Sequence, residues 1–525
     1  MTAALLFACL LTLSLSAQAK GRALSILLLP AEDSHLMFRQ FLPVKQYLEE
    51  HLDRPVELIM GSNYEASLES VGQGKVDLAY LDPSAYCVAR HRFGVEAMAK
   101  VLKNGQPEYR SVLVARKSSA LEKIADCKGR SLALGNIHSS GSYLMPLAMF
   151  QEVGLSLEDF SRVGYLQKED QVALSVLVGD FEVGALSLSV AKRYAGYGLK
   201  IIKRSEPIPQ YALCASPNMD KQIRSRLRKA LIGYRPGKYQ IISFAPADDQ
   251  EFNIVRIMLK NTTGQDYITY PEGTLKLGLL PLYSPITLDE MFSPLAEYLS
   301  RRTGREFRLV IPKDFEEYVS LVEDGGVDFA YQNPYVYLLL DRRTELRPLA
   351  LTVSPEPEKP RASFRGAIII RKDSAIDRLE DLKGKRILVV SNKSAGGYWF
   401  EKLLLRQKGI EIDQEATIAE GKRHEEVILG VYRGRADAGF VREAALTVAR
   451  DIVDMSSLEV LAYTPYYPNW PFAAMPQVEA GLAEDVQRAL IEVPGGHMFK
   501  RARISGFTKA DQESLKRLED KVAFE

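Results

Sequence analysis

Two short stretches carry residue types that could hold a small anion. Lys128 to Tyr143 reads KGRSLALGNIHSSGSY, and Lys383 to Tyr398 reads KGKRILVVSNKSAGGY. In the first, Leu132, Ala133 and Leu134 read as an apolar strand, and Ser139, Ser140, Gly141 and Ser142 as a hydroxyl-rich turn. Tyr143 to Val153 then has helical spacing closed by Gly154. The first N–H groups of a helix have no partner inside it and sit at the positive end of its dipole, so such a turn suits a small negative group. A plain Ser N-cap is the competing reading for either stretch alone. The recurrence in an equivalent place favours the anion.

Other chemistries find less support. Ser140 lies in S-S-G-S rather than a G-x-S-x-G elbow, and His138 two residues away is not a positioned base. Arg423-His424-Glu425-Glu426 lacks the second histidine of a zinc helix. No paired catalytic carboxylates stand out. Neither catalysis, a metal nor a cofactor is expected. Cys87, Cys127 and Cys214 form no C-x-x-C pair and read as free buried thiols. A formal net charge of +1 gives no general pull toward nucleic acid.

The elements that must position the turns recur along the chain. LSILLLP, ending at Pro30, matches LKLGLLP, ending at Pro281; GKVDLAYLDP, ending at Pro83, matches GGVDFAYQNP, ending at Pro334. Both pairs lie 251 positions apart. Tyr109 then matches Phe364, Gly129 matches Gly384, Ser139 matches Ser394 and Gly179 matches Gly434, all 255 apart. The extra residues fall in the Pro- and Glu-rich loop 354–360. Two copies of one module of about 240 residues account for the 525-residue length. Within a copy, short apolar strands alternate with helix-length segments: strands 24–29, 56–60, 76–80 and 111–116, helices 38–51 and 64–72. The pattern predicts mainly parallel sheets covered by helices, in two α/β lobes facing a cleft.

The expected organisation is a signal peptide at 1–19, module 1 at 20–270 and module 2 at 271–525. Module 1 divides into a lobe of about 23–108 plus 212–265 and a lobe of about 112–205. Module 2 divides into about 274–363 plus 472–525, and about 367–463. The signal peptide rests on the apolar run of residues 3–16 before Ala17-Gln18-Ala19, and it predicts export to the periplasm. No later segment approaches the roughly 18 apolar residues of a membrane span.

The opening LLP, the strand ends VDLAYLDP and VDFAYQNP, YRSVLVARKSS, the HSSG turn and the closing FAPADDQEF resemble the phosphonate/phosphite/phosphate-binding branch of the type II periplasmic binding proteins of ABC transporters. The resemblance covers each module nearly end to end. It implies lobes that close on a tetrahedral oxyanion using a Ser-rich turn, a histidine one helix later, and first-lobe aromatics. Acidic groups would meet an amine on the ligand. Carried over in module 1, the implied contacts are Tyr64, Tyr80, Tyr109, Ser139, Ser140, Gly141, Ser142, Glu169 and Ser187. In module 2 they are Phe315, Tyr331, Phe364, Ser394, Gly396, Gly397, His424, Arg442 and Glu443. The histidine falls on His424 in module 2 but on Glu169 in module 1. A carboxylate beside an anion costs free energy unless a cation intervenes. Taken singly, the aromatics could equally be core, and the charged residues 437, 442 and 443 could equally form a structural salt bridge.

A micromolar dissociation constant is about −8 kcal/mol, and a hydrogen bond to a charged group contributes roughly 1.5–3 kcal/mol net. After ordering costs, about five or six such bonds are required. The implied function is capture of a small oxyanion or phosphonate-like solute by a monomer for a membrane ABC permease. The alternative is a sensory protein of the same fold that reports to a separate histidine kinase or cyclase.

Overall fold

The computed structural model describes residues 22–31, 33–355, 360–421, 423–450, 453–494, 499 and 502–521. The expected signal peptide lies outside them. The chain forms two compact units, divided between Thr269 and Tyr270.

Among the described residues, unit 1 has thirteen strands: β1 Leu24–Leu28, β2 Val56–Met60, β3 Leu78–Leu81, β4 Glu96–Lys103, β5 Glu108–Tyr109, β6 Ser111–Arg116, β7 Ser131–Leu134, β8 Arg162–Tyr165, β9 Val183–Ser187, β10 Leu199–Arg204, β11 Ile208–Pro209, β12 Ala212–Ala215 and β13 Ile242–Pro246. The first lobe holds a six-stranded sheet in the order β13-β4-β12-β3-β1-β2, and the second a five-stranded sheet in the order β10-β6-β9-β7-β8. The short antiparallel pair β5–β11 is where the chain crosses between lobes and returns.

Unit 2 repeats this plan. Its sheets are β15-β14-β16-β25-β17-β26 and β21-β20-β22-β19-β23, with the crossing pair β18–β24. Here β14 is Leu275–Leu279, β15 Phe307–Val310, β16 Phe329–Tyr331, β17 Arg347–Val353, β18 Ser363–Phe364, β19 Gly366–Arg371, β20 Arg386–Val389, β21 Thr417–Glu420, β22 Ala438–Arg442, β23 Leu458–Tyr463, β24 Tyr467–Pro468, β25 Pro471–Ala474 and β26 Gly506–Lys509. Strand for strand, the two orders are identical.

The expectation of mainly parallel sheets needs correcting. In the six-stranded sheet of unit 1, β1 is parallel to β2 and β3, but β12 is antiparallel to β3 and β4, and β13 to β4. The second lobe is mixed in the same way: β7 is parallel to β8 and β9, while β6 is antiparallel to β9 and β10. The parallel pairs are the local strand–helix–strand repeats that the spacing reveals. The reversed strands are β6 and β12, each entered directly from a crossing, together with β13, and periodicity is blind to strand direction.

The central strands are buried on both faces. β1, β3, β9 and β12 are buried along their whole length, as parallel-type strands covered by helices must be. Cys87, Cys127 and Cys214 are buried free thiols. Among the described residues no helix is long and apolar enough to cross a membrane, and no group of His, Cys, Asp or Glu could hold a metal ion.

Candidate functional site

In unit 1 the turn after β7 forms a single π turn, Ser140–Leu144, that leads into the helix Met145–Gln151. Ser139 caps it: its Oγ accepts from the Ser142 N–H at 3.2 Å and the Ser142 hydroxyl at 2.8 Å. The Ser140 N–H and hydroxyl both donate to Oδ1 of Asp82, at 2.8 and 2.6 Å. Asp82 belongs to the other lobe, where it caps the helix Pro83–Phe93 by accepting from the Ser84 N–H at 2.9 Å. That same N–H donates to Ser140 Oγ at 2.8 Å. The Tyr109 hydroxyl reaches Asp82 Oδ2 at 3.3 Å.

Asp82 is fully buried. Burial holds its carboxyl above the usual range, and the hydrogen bonds from Ser140, Ser84 and Tyr211 only partly restore it. Glu169, also buried, accepts from the Ser187 N–H at 2.9 Å and the Ser187 hydroxyl at 2.5 Å. Burial, then Asp82, then Glu169 push the Tyr64 and Tyr109 hydroxyls up.

Four tyrosines border these carboxylates. Tyr64 is within hydrogen-bonding reach of Ser139 and Tyr211. The Tyr211 ring lies 4.9 Å from that of Tyr80 and 5.9 Å from that of Tyr109. Gly141 has no room to spare: a Cβ there would come within 3.0 Å of the Tyr109 ring and 3.4 Å of a Glu169 oxygen. The candidates of unit 1 thus lie around one interlobe cluster, whose serines and carboxylates are already hydrogen-bonded within the chain.

Unit 2 builds the same cluster from different chemistry. Ser394 is buried at the start of the turn Ala395–Gly397 and makes no capping bond with its side chain. The Phe364 ring lies against Gly396, 2.5 Å from where a Cβ would stand, so only glycine fits. The Arg442 guanidinium stacks on that ring, 4.4 Å from its centre. His424 starts the helix His424–Tyr432, and its Nδ1 accepts from the Arg442 N–H at 3.1 Å. That acceptor role places the ring proton on Nε2 in a neutral imidazole. The surrounding protein and then the Arg442 charge push its pKa down to about 3. His424 therefore offers a neutral donor across the working pH range.

Asn333 stands where unit 1 has Asp82. Its Nδ2 donates to the Lys393 carbonyl across the cleft at 2.9 Å, and its Oδ1 caps the helix Pro334–Thr344 through the Val336 N–H at 3.0 Å. Lys393 Nζ lies 2.7 Å from Glu316 and 4.0 Å from the centre of the Phe315 ring. Their counterparts in unit 1, His138 and Glu65, approach to 3.5 Å. The Tyr331 hydroxyl bonds Thr352 at 2.9 Å, and its ring packs near Trp470.

One candidate is turned to another task. Both oxygens of Glu443 are taken by Arg365, Nε at 2.7 Å and Nη2 at 2.6 Å, with the Tyr466 hydroxyl at 3.3 Å. Of residues 442 and 443, Glu443 forms the salt bridge, while the Arg442 guanidinium stacks on Phe364 beside the turn. Asp437 likewise pairs with Arg386. Sequence reasoning missed Asp82, Asn333, Tyr211 and Trp470. The signal for the first two was present, in YLDP set against YQNP.

The fold and the site define a two-lobed binding protein, present twice in one chain. A family model matches both copies, over residues 26–252 and 277–515. The chain belongs to that family, the phosphonate periplasmic substrate-binding proteins of ABC transporters, which have the type II periplasmic binding fold. It is 28% identical over 241 residues to the tetrathionate sensor histidine kinase TtrS of Salmonella typhimurium, spanning 43% of this chain and 41% of that one. It is 25% identical over 198 residues to the phosphate-import protein PhnD of Mycolicibacterium smegmatis, spanning 36% and 60%. Against the phosphonates-binding periplasmic protein of Escherichia coli it is 26% identical over 152 residues, spanning 28% and 45%. The chain spans about half the length of the curated relatives it matches. A solved structure, a binding protein component of an ABC phosphonate transporter from Pseudomonas aeruginosa, aligns at 19% identity over 53% of this chain and 98% of that one, with a TM-score of 0.44.

Proposed function

We propose that the protein is an exported binding protein that captures a small tetrahedral oxyanion, of the phosphonate, phosphite or phosphate class, in the cleft of unit 2 and presents it to a membrane ABC permease. The observation that carries this reading is the cation set around the second turn. Arg442 on Phe364, Lys393 at the lip and the neutral His424 donor surround Ser394, while the neighbouring cap is the uncharged Asn333. Ser394, the Gly396 and Gly397 amides, the His424 Nε2–H, Arg442 and Lys393 together reach the five or six charged hydrogen bonds that micromolar affinity requires. Phe364, Phe315 and Tyr331 would exclude water from the closed cleft. The role is binding rather than catalysis, by a monomer in the periplasm.

Titration calorimetry of the mature chain against phosphite, methylphosphonate, phosphate, sulfate and tetrathionate tests the reading. Saturable heat with at least one of them is expected, and no heat with any overturns it. A second reading is favoured by the similarity to the tetrathionate sensor: the same capture event is read by a separate membrane histidine kinase. Tetrathionate as the tightest guest, with a kinase rather than a permease co-purifying from cross-linked membranes, would select it.

A further inference from the structure

We propose that Asp82 is an intramolecular ligand: its carboxylate occupies the anion position of the first turn, so that unit 1 closes on its own chain and takes no solute anion. The inference rests on the reading above only for the chemistry of the turn.

The turn in unit 1 has the donors an oxyanion needs, but they are taken. Asp82 Oδ1 receives the Ser140 N–H, the Ser140 hydroxyl and the Ser84 N–H, all within 2.9 Å, and Oδ2 receives the Tyr109 hydroxyl. An oxyanion bound at a helix-start turn is held by this kind of set: backbone amides, hydroxyls and one aromatic hydroxyl. The donors come from both lobes, since Ser84 lies at the head of a first-lobe helix and Ser140 in the second lobe. The bonds therefore hold the lobes together as a bound guest would. The groups that donate to Asp82, from Ser84, Ser140, Tyr109 and Tyr211, are all neutral.

Unit 2 is the internal control. The equivalent residue is Asn333, which still caps its helix but turns its amide to the Lys393 carbonyl, and Ala395 stands where unit 1 has Ser140. Asp and Asn cap helices equally well. The helix cap thus does not require a carboxylate at position 82, and what unit 1 adds is the pair of Asp82 with Ser140, both of which unit 2 lacks. A solute anion entering unit 1 would have to displace that carboxylate while facing Glu169 as well. Both terms oppose it.

Hydrogen–deuterium exchange of the full chain, read by mass spectrometry on peptides covering 83–86 and 139–145, tests the inference. In the wild type, dialysed free of anions, these amides are expected to exchange slowly, and millimolar phosphate or methylphosphonate should change them less than about twofold. Asp82→Asn should speed them by about tenfold or more, the loss of one charged hydrogen bond, and added phosphate should slow them again. Ser140→Ala, which leaves the Asp82 cap in place, should also speed them, without gaining a response to phosphate. Unchanged exchange in both variants, or a wild-type response of these peptides to phosphate, overturns the inference. Retained protection of the buried β1 and β9 amides in the same exchange experiment shows that unit 1 of the variants is folded, and fluorescence of Trp399 and Trp470, both in unit 2, shows the same for unit 2. It also reads anion capture by unit 2 separately, so failure there is distinguishable from failure here.

Discussion

Replacing Arg442 by Gln should weaken anion capture by unit 2 by about one to two orders of magnitude. A unit charge about 4 Å from the guest, at an effective dielectric of about 20, contributes about 4 kcal/mol before desolvation. Net of that cost, a hydrogen bond from a charged donor is worth roughly 1.5–3 kcal/mol, a factor of about 10 to 150 in Kd. The fold should survive, because the Arg442 backbone N–H that His424 accepts is untouched and the guanidinium packs on Phe364 rather than in the sheet core. The assay is built into the chain. Trp399 of the second lobe stacks on Tyr335 of the first, with ring centres 4.1 Å apart and planes within 15°, so its fluorescence reports the contact between lobes. Titration of wild type, Arg442→Gln and Arg442→Lys with the guest found by calorimetry should give Kd values rising in the order Arg, Lys, Gln. Lysine keeps the charge but loses the planar stack and fork. An Arg442→Gln protein that folds and binds within twofold of wild type would refute the assignment of this cation to the site.

His424 should make unit 2 sensitive to acid. The unfolded histidine takes a proton near pH 6.5 while the folded one refuses it until about pH 3, so stability is full above pH 6.5 and falls as pH drops through it, by at most about 1.4 kcal/mol per unit. Tryptophan-monitored urea unfolding at pH 7 and pH 5 should show about 2 kcal/mol more loss in wild type than in His424→Gln, and equal losses would count against a buried neutral imidazole. Arg365→Met strands the buried Glu443 carboxylate with only the Tyr466 hydroxyl, which should cost unit 2 about 2–4 kcal/mol. Adding Glu443→Gln should recover a part of it, and an unaffected midpoint in the single variant would show the fork to be inert. Gly396→Ala drives a methyl into the Phe364 ring. The ring and the guanidinium on it must shift, so about tenfold weaker capture with about 1–3 kcal/mol lost stability is expected, and wild-type affinity would disprove the tight contact.

The duplicated α/β plan was legible because it depends on local pattern: strand lengths, helix spacing and a recurrence that keeps register over both copies. The turns, the histidine position and the aromatic edges were legible for the same reason, as each sits inside a quoted motif. What sequence could not supply were contacts whose partners are remote. Asp82 grips Ser140 from 58 residues away, and Arg365 takes Glu443 from 78. Nothing in YLDP says that its carboxylate spans a cleft. Nothing in VREAA says that Arg442 and Glu443, adjacent in the chain, face different partners at the end of β22. Tyr211 and Trp470 escaped notice because they follow Pro-containing return segments that read as connection rather than site. Alternation likewise picked out strands while missing that β6, β12 and β13 run the other way.

Three of the exchanges at matched places alter the buried charge beside the turn: Asp82 against Asn333, Glu169 against His424 and Ser187 against Arg442. With His424 neutral, they change the buried formal charge beside the turn from two carboxylates to one guanidinium. Each such charge is worth about 3–4 kcal/mol to a singly charged guest at 4–5 Å and an effective dielectric of about 20, so the copies differ by roughly 10 kcal/mol as upper bounds. That exceeds the whole −8 kcal/mol of a micromolar complex. On charge alone the two turns thus cannot serve the same anion, whatever their sequence likeness. A fold that needs an anion between its lobes to stay closed can obtain it from solution, as unit 2 does in this account, or from its own chain, where Asp82 serves.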